Sequence, residues 1–119
     1  MVTQCGVDYG FTLVIMDGND SLEVRIEQRF ELALPSGTVR FDPAGDPTMI
    51  GPALAVLHAA VNEVIAFENG RLVVSFADGR ELCVPPNEDY EPWTLVGPDG
   101  LRIVSMPGGE LAIWKPDPA

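Results

Sequence analysis

At 119 residues, with 46% hydrophobic and 21% charged side chains, the chain has the length of one domain and enough apolar material to build a core without disulfides or metal. Its formal net charge of -11 argues against nucleic acid, whose phosphates are held by Lys and Arg, and against anionic membrane surfaces. What remains is simple solubility, or a basic protein partner drawn in by charge.

The start, Met1 to Asp8, has no basic leader, and the apolar run Phe11 to Met16 is too short to span a bilayer. A cytoplasmic location follows as the expectation, and with it two reduced thiols at Cys5 and Cys83. Residues 1–10 read as a frayed or edge segment. Phe11 to Met16 is of strand length and is closed by the turn Asp17-Gly18-Asn19-Asp20. Leu22, Val24 and Ile26 then alternate with Glu23, Arg25 and Glu27. The even-numbered apolar set resumes at Phe30, Leu32 and Leu34, with Gln28 interrupting it. One long, bent strand with Gln28 on its inner face is the favoured reading over a bulge.

Pro35-Ser36-Gly37 turns the chain into a short strand at Thr38 to Phe41. Asp42 to Thr48, with its prolines and glycine, is the long irregular connection. It leads to the one helix the pattern supports: Asp46 caps, Pro47 suits the first turn, and Ile50, Leu54, Leu57 and Val61 draw an apolar stripe. Gly51-Pro52 damages its first turn, and its end falls around His58 to Ala60. Strands follow at Asn62 to Glu68, Leu72 to Phe76 and Glu81 to Val84, joined by Asn69-Gly70 and Asp78-Gly79 turns. Pro85-Pro86 stops the last of these. Tyr90 to Val96, Leu101 to Ser105 and Glu110 to Trp114 complete the chain, separated by Pro98-Asp99-Gly100 and Pro107-Gly108-Gly109. Beyond Lys115 a disordered tail is expected. The pattern is α+β and mostly β: antiparallel meanders of about eight strands with one short helix between them, in a single domain.

Catalytic supply is thin. The one histidine, His58, sits on the expected helix as a boundary residue, and no nucleophile–base arrangement stands out. Two distant cysteines and one histidine show no metal-ligand spacing, so no metal and no cofactor are expected. Glu88, Asp89 and Glu91 crowd just ahead of Trp93. A carboxylate pair beside an aromatic wall would suit a glycosidase-like site, but a solvated acidic loop explains them more simply. Tyr90, Trp93 and Trp114 are the most distinctive chemistry present, being residue types enriched at interface hot spots. Trp93 is the better core member, and Trp114, on the last strand, the better surface residue.

At these residues the chain resembles a known family. Tyr90-Glu91-Pro92-Trp93-Thr-Leu, Gly97-Pro-Asp-Gly100 and Pro107-Gly-Gly-Glu-Leu-Ala-Ile-Trp114, preceded by Leu72 and by Phe76-Ala-Asp-Gly-Arg-Glu-Leu, are similar to the actinobacterial domain-of-unknown-function family numbered 6188. The likeness is close over Leu57 to Trp114 and looser in the N-terminal half. It implies a shared fold and carries no reaction, cofactor or substrate. Similar Tyr-Glu-x-Trp endings also occur in chains that look like immunity proteins of bacterial toxin systems.

The leading expectation is therefore a non-enzymatic, cytoplasmic protein-binding module using Tyr90, Glu91, Trp93 and Trp114, an immunity-type inhibitor of a basic toxin domain being one form of it. The alternative is a small-molecule or carbohydrate-binding domain, or a hydrolase, using Trp93 with Glu88 or Glu91. Trp114 on the outer face of a final strand with an open edge also leads to an expected homodimer that tightens as salt screens the like charges.

Overall fold

The computed structural model describes residues 1–115; the expected disordered tail, from Pro116 on, lies outside the described residues. Among the described residues, eleven strands, a ten-residue 3₁₀ segment and a three-residue 3₁₀ turn at Pro98–Gly100 follow one another. They are β1 (Val2–Val7), β2 (Phe11–Asp17), β3 (Asp20–Ile26), β4 (Phe30–Leu34), β5 (Gly37–Phe41), the 3₁₀ segment (Pro47–Val56), β6 (Val61–Ala66), β7 (Leu72–Phe76), β8 (Glu81–Val84), β9 (Trp93–Val96), β10 (Arg102–Ser105) and β11 (Leu111–Trp114). All pairings are antiparallel, in a six-stranded sheet ordered β1-β2-β3-β9-β10-β11 and a five-stranded sheet ordered β5-β4-β8-β7-β6. The buried sides of both share one core.

Strand number exceeds the expected eight or so for two reasons. Residues 2–7 are an ordered edge strand: Val2 is fully buried, and its backbone bonds Ala59 and His58 at the far end of the 3₁₀ segment. The long bent strand is two strands in different sheets, broken at Glu27-Gln28-Arg29. Its inward parity nevertheless survives the crossing, since Val24, Ile26, Gln28, Phe30 and Leu32 are all buried. Both halves pair with the same returning segment, β3 with β9 and β4 with β8. At the corner residues 85–92 form no strand; Glu27 N donates to Pro92 O at 2.8 Å, and the Gln28 side chain holds the other end, its Nε2 donating to Pro85 O at 2.6 Å and its Oε1 accepting from Asn87 Nδ2 at 2.9 Å. Burying the amide is tolerated because both ends are bonded.

The expected α-helix is instead 3₁₀, and it ends at Val56, before His58. Asp46 caps it as expected, its Oδ1 accepting from Thr48 N at 2.9 Å. An α-helix through this stretch would set the Pro52 ring against the Thr48 carbonyl, and Gly51 adds backbone entropy. Bonds of the tighter kind form at both ends, Met49 N to Asp46 O and Leu57 N to Leu54 O. Side chains three apart then stack on one face. The buried set is accordingly Ile50, Ala53 and Val56, while Leu54 and Leu57 of the expected stripe are exposed.

One contact ties the β6–β7 turn to the other sheet. Gly70 O accepts from Trp93 Nε1 at 2.8 Å and from Ser105 Oγ at 2.9 Å, and all three polar groups are buried. Behind it the Asn69-Gly70 turn lies directly on the Gly108-Gly109 turn between β10 and β11. A Cβ on Gly70 would stand 2.5 Å from Gly109 Cα, and one on Gly109 would run into the Asn69 carbonyl. Both glycines also have left-handed backbones, with φ of +93° and +100°.

Gly108 offers an internal control, because it shares the turn and has φ of +89° yet faces open space. Gly108→Ala should cost only the left-handed penalty, about 1–2 kcal/mol. Gly109→Ala should cost about 1–3 kcal/mol more, as an overpacked site does. Equal urea midpoints for the two variants would contradict the backbone-on-backbone contact.

Candidate functional site

The outer face of the six-stranded sheet is where exposed chemistry gathers. Register pairs Arg102 with Trp114 and Val104 with Ala112, so these four side chains share one side of the β10–β11 hairpin. With Glu91 and Met106 they line an open cleft of about 620 Å³. The floor is apolar, and Val104 is buried there although it points away from the core cluster. The Arg102 guanidinium carbon stands 5.9 Å from the centre of the Trp114 ring, a cation–π arrangement. Trp114 remains 54% exposed. Among the described residues no carboxylate lies within ion-pair distance of Arg102.

Glu91 and Arg102 also border the neighbouring cleft, lined with Glu23, Arg25 and Glu27 from β3 and its end. There the charges are already matched. Arg25 donates to Asp8 at 2.8 Å, to Glu27 at 3.1 Å and to Thr12 Oγ1 at 3.2 Å. The hydrogen bond from Arg25 holds the Asp8 carboxyl below the usual carboxylate range. The Arg102–Trp114 end of the face therefore differs from the Arg25 end: its cation is stacked on a ring and, among the described residues, has no such carboxylate partners.

The four residues expected to bind do not form one site. Trp93 is wholly buried, its indole committed to Gly70 O, and it presents no surface to a ligand. The expectation of Trp93 as a binding residue, or as a wall for Glu88 or Glu91, is corrected on that ground: its position on β9 points into the core, opposite in parity to the outer-facing Thr94 and Val96. Tyr90 is half-exposed and borders a different cleft, of about 520 Å³, with Arg29, Asp42 and Asn87. Its backbone is set there by Asn87 Oδ1, which accepts from Asp89 N and Tyr90 N. Only Glu91 and Trp114 meet, in the β10–β11 cleft. Ile113 alternates with Trp114 and so points to the core side with Leu111, yet it is 51% exposed because β11 is the outermost strand of its sheet.

Arg102, Val104, Met106 and Ala112 were not singled out from the sequence. Alternation along 102, 104 and 106, set against 112 and 114, was the signal that could have found them. Glu88, Asp89 and Glu91 are all exposed, and among the described residues no three His, Cys, Asp or Glu side chains converge as metal ligands would. His58 is exposed, with its backbone N–H bonded to Val2 O. Cys5 on β1 and Cys83 on β8 are free thiols in different sheets, and burial pushes the Cys5 thiol up. Among the described residues no helix is long and apolar enough to cross a membrane.

The two tryptophans should separate cleanly in stability measurements. Trp93→Ala removes a fully buried ring and leaves Gly70 O with one donor, and should cost about 3–5 kcal/mol. Trp114→Ala should cost less than about 1 kcal/mol, since an exposed site away from special backbone stays near ±0.5. Urea unfolding that ranked the two the other way would contradict the assignment.

No curated protein and no solved structure matches the chain. A family model does, over residues 1–115, so the match takes in the N-terminal strands as well as the C-terminal hairpins. The chain belongs to the family of unknown function DUF6188.

Proposed function

We propose that this chain is a non-enzymatic protein-binding module, and that the β10–β11 outer face is its contact surface. The observation that carries the reading is Trp114, half-exposed beneath Arg102 at the rim of an apolar cleft. Trp and Arg dominate binding hot spots, and Met is also enriched at interfaces. The cleft brings one carboxylate, Glu91, and one guanidinium to its lining, with no histidine, cysteine or hydroxyl. That supply suits recognition better than bond-breaking.

The net charge of -11 would speed encounter with a basic protein, the form of partner we favour. A small acidic protein that covers a basic toxin domain, as immunity proteins do, is one concrete instance. The carbohydrate or hydrolase alternative relied on Trp93 as an aromatic wall, and that ring is enclosed in the core.

Affinity capture from the native cell extract, followed by mass spectrometry, tests the reading. Wild-type protein and a Met49→Ala control, altered at a residue 71% exposed on the 3₁₀ segment, should retain the same partner. Trp114→Ala should lose it. Identical capture by all three proteins would remove the β10–β11 face from consideration.

A further inference from the structure

Four strand edges end the two sheets: β1, β11, β5 and β6. An open edge is a template for pairing, and soluble proteins usually blunt it with bulges, charges or cover. The register of β1 slips between Val2 and Gln4, and Val2 is bonded across to His58 and Ala59. β6 slips between Val61 and Glu63 and carries that glutamate. β5 carries Arg40, ion-paired to Glu31. β11 reads Leu-Ala-Ile-Trp, pairs with β10 in unbroken register, and among the described residues has none of these devices.

The hydrogen-bonding phase of β11 is also readable. Met106 N donates to Glu110 O at 2.7 Å. Bonded and non-bonded pairs alternate along an antiparallel ladder, so Ala112 and Trp114 direct their backbone groups at β10. Leu111 and Ile113 direct theirs at the open edge.

We propose that the occupant of this edge is a second copy of the chain, joined antiparallel through β11 about a two-fold axis centred on Ala112, so that two six-stranded sheets become one of twelve. This rests on the reading of β10–β11 as a contact surface and names the occupant of its open edge, which is distinct from the outer-face cleft where a basic partner would dock. The two-fold must stand perpendicular to the sheet, so residues opposite one another share a face and their numbers sum to an even value. Centring on Ala112 makes Leu111 of each copy face Ile113 of the other. Those are the residues whose backbone groups are free, and the pairing covers the half-exposed Ile113 side chain. On the outer face Ala112 meets its own copy, the small side chain leaving room for the rings. Glu110 of one copy comes beside Trp114 of the other, with Arg102 on the ring's far side. The cation that has no carboxylate partner among the described residues thus gains a carboxylate two strand spacings away, about 10 Å between backbones, across the Trp114 ring and twice by symmetry. Repulsion between two chains of net charge -11 acts at longer range than these contacts, and salt screens it first.

Sedimentation velocity on the full chain, over a range of concentration and salt, tests this. The wild type should dimerise. Ile113→Pro should be monomeric with unchanged circular dichroism, because the lost N–H faces the open edge and not β10. Arg102→Glu should raise the dimer dissociation constant roughly tenfold or more by placing like charges together. Arg102→Glu combined with Glu110→Arg should restore it. A monomeric wild type, or a dimer indifferent to Ile113→Pro and to the charge pair, would overturn the proposal. If the wild type is monomeric yet Trp114→Ala still abolishes capture of a cellular partner, self-pairing fails while the contact surface stands. If neither effect is seen, both fail.

Discussion

The carbonyl of Gly70 is the point on which the two sheets agree. It lies on a turn of the five-stranded sheet and accepts from Trp93 on β9 and Ser105 on β10, both of the six-stranded sheet. A buried carbonyl with two lone pairs is satisfied by two donors, and a buried indole N–H and hydroxyl are satisfied in the same place. The arrangement needs the backbones of two turns to touch, and only residues without Cβ allow that at Gly70 and Gly109. Directional hydrogen bonds at one spot thereby fix how non-directional apolar faces are aligned elsewhere.

The fates of the two tryptophans follow from the same geometry. Trp93 sits at an inward parity on a central strand and finds a polar partner for its nitrogen inside. Trp114 sits at an outward parity on an edge strand, where the neighbour across the ladder is Arg102. Burying one ring holds the sheet in place. Leaving the other at the surface concentrates aromatic, cationic and apolar chemistry on a single hairpin, beside an edge whose strand, among the described residues, runs unbroken and uncharged from Leu111 to Trp114.

Much of this fold was legible in the chain, because turns and alternation are local. Asn69-Gly70 and Asp78-Gly79 mark their hairpins directly, and the even-numbered residues from Val24 to Leu32 face inward as their spacing implies. What was not legible depends on partners far away in sequence. Gln28 reads as an interruption until Pro85 and Asn87 are placed beside it. Residues 2–7 look marginal until the end of the 3₁₀ segment bonds Val2. Ile50 and Leu54 fit an α-helical stripe, and it takes Pro52 within a short, two-proline segment to shift the burial to every third residue. The binding candidates suffered likewise. Tyr90, Glu91 and Trp93 are adjacent in sequence, yet they reach two different clefts and the core, whereas Glu91 and Trp114 are far apart in sequence and share one cleft.

Hydrogen exchange at the two indole N–H groups, followed by nitrogen-15 NMR, tests the central claim most directly. If Gly70 O holds the sheets together, the Trp93 proton should exchange only through openings that approach the free energy of global unfolding, alongside the slowest amides of β7 and β9. The Trp114 proton should exchange orders of magnitude faster. A Trp93 indole proton that exchanges at the rate of Trp114, while the core amides stay protected, would contradict the account.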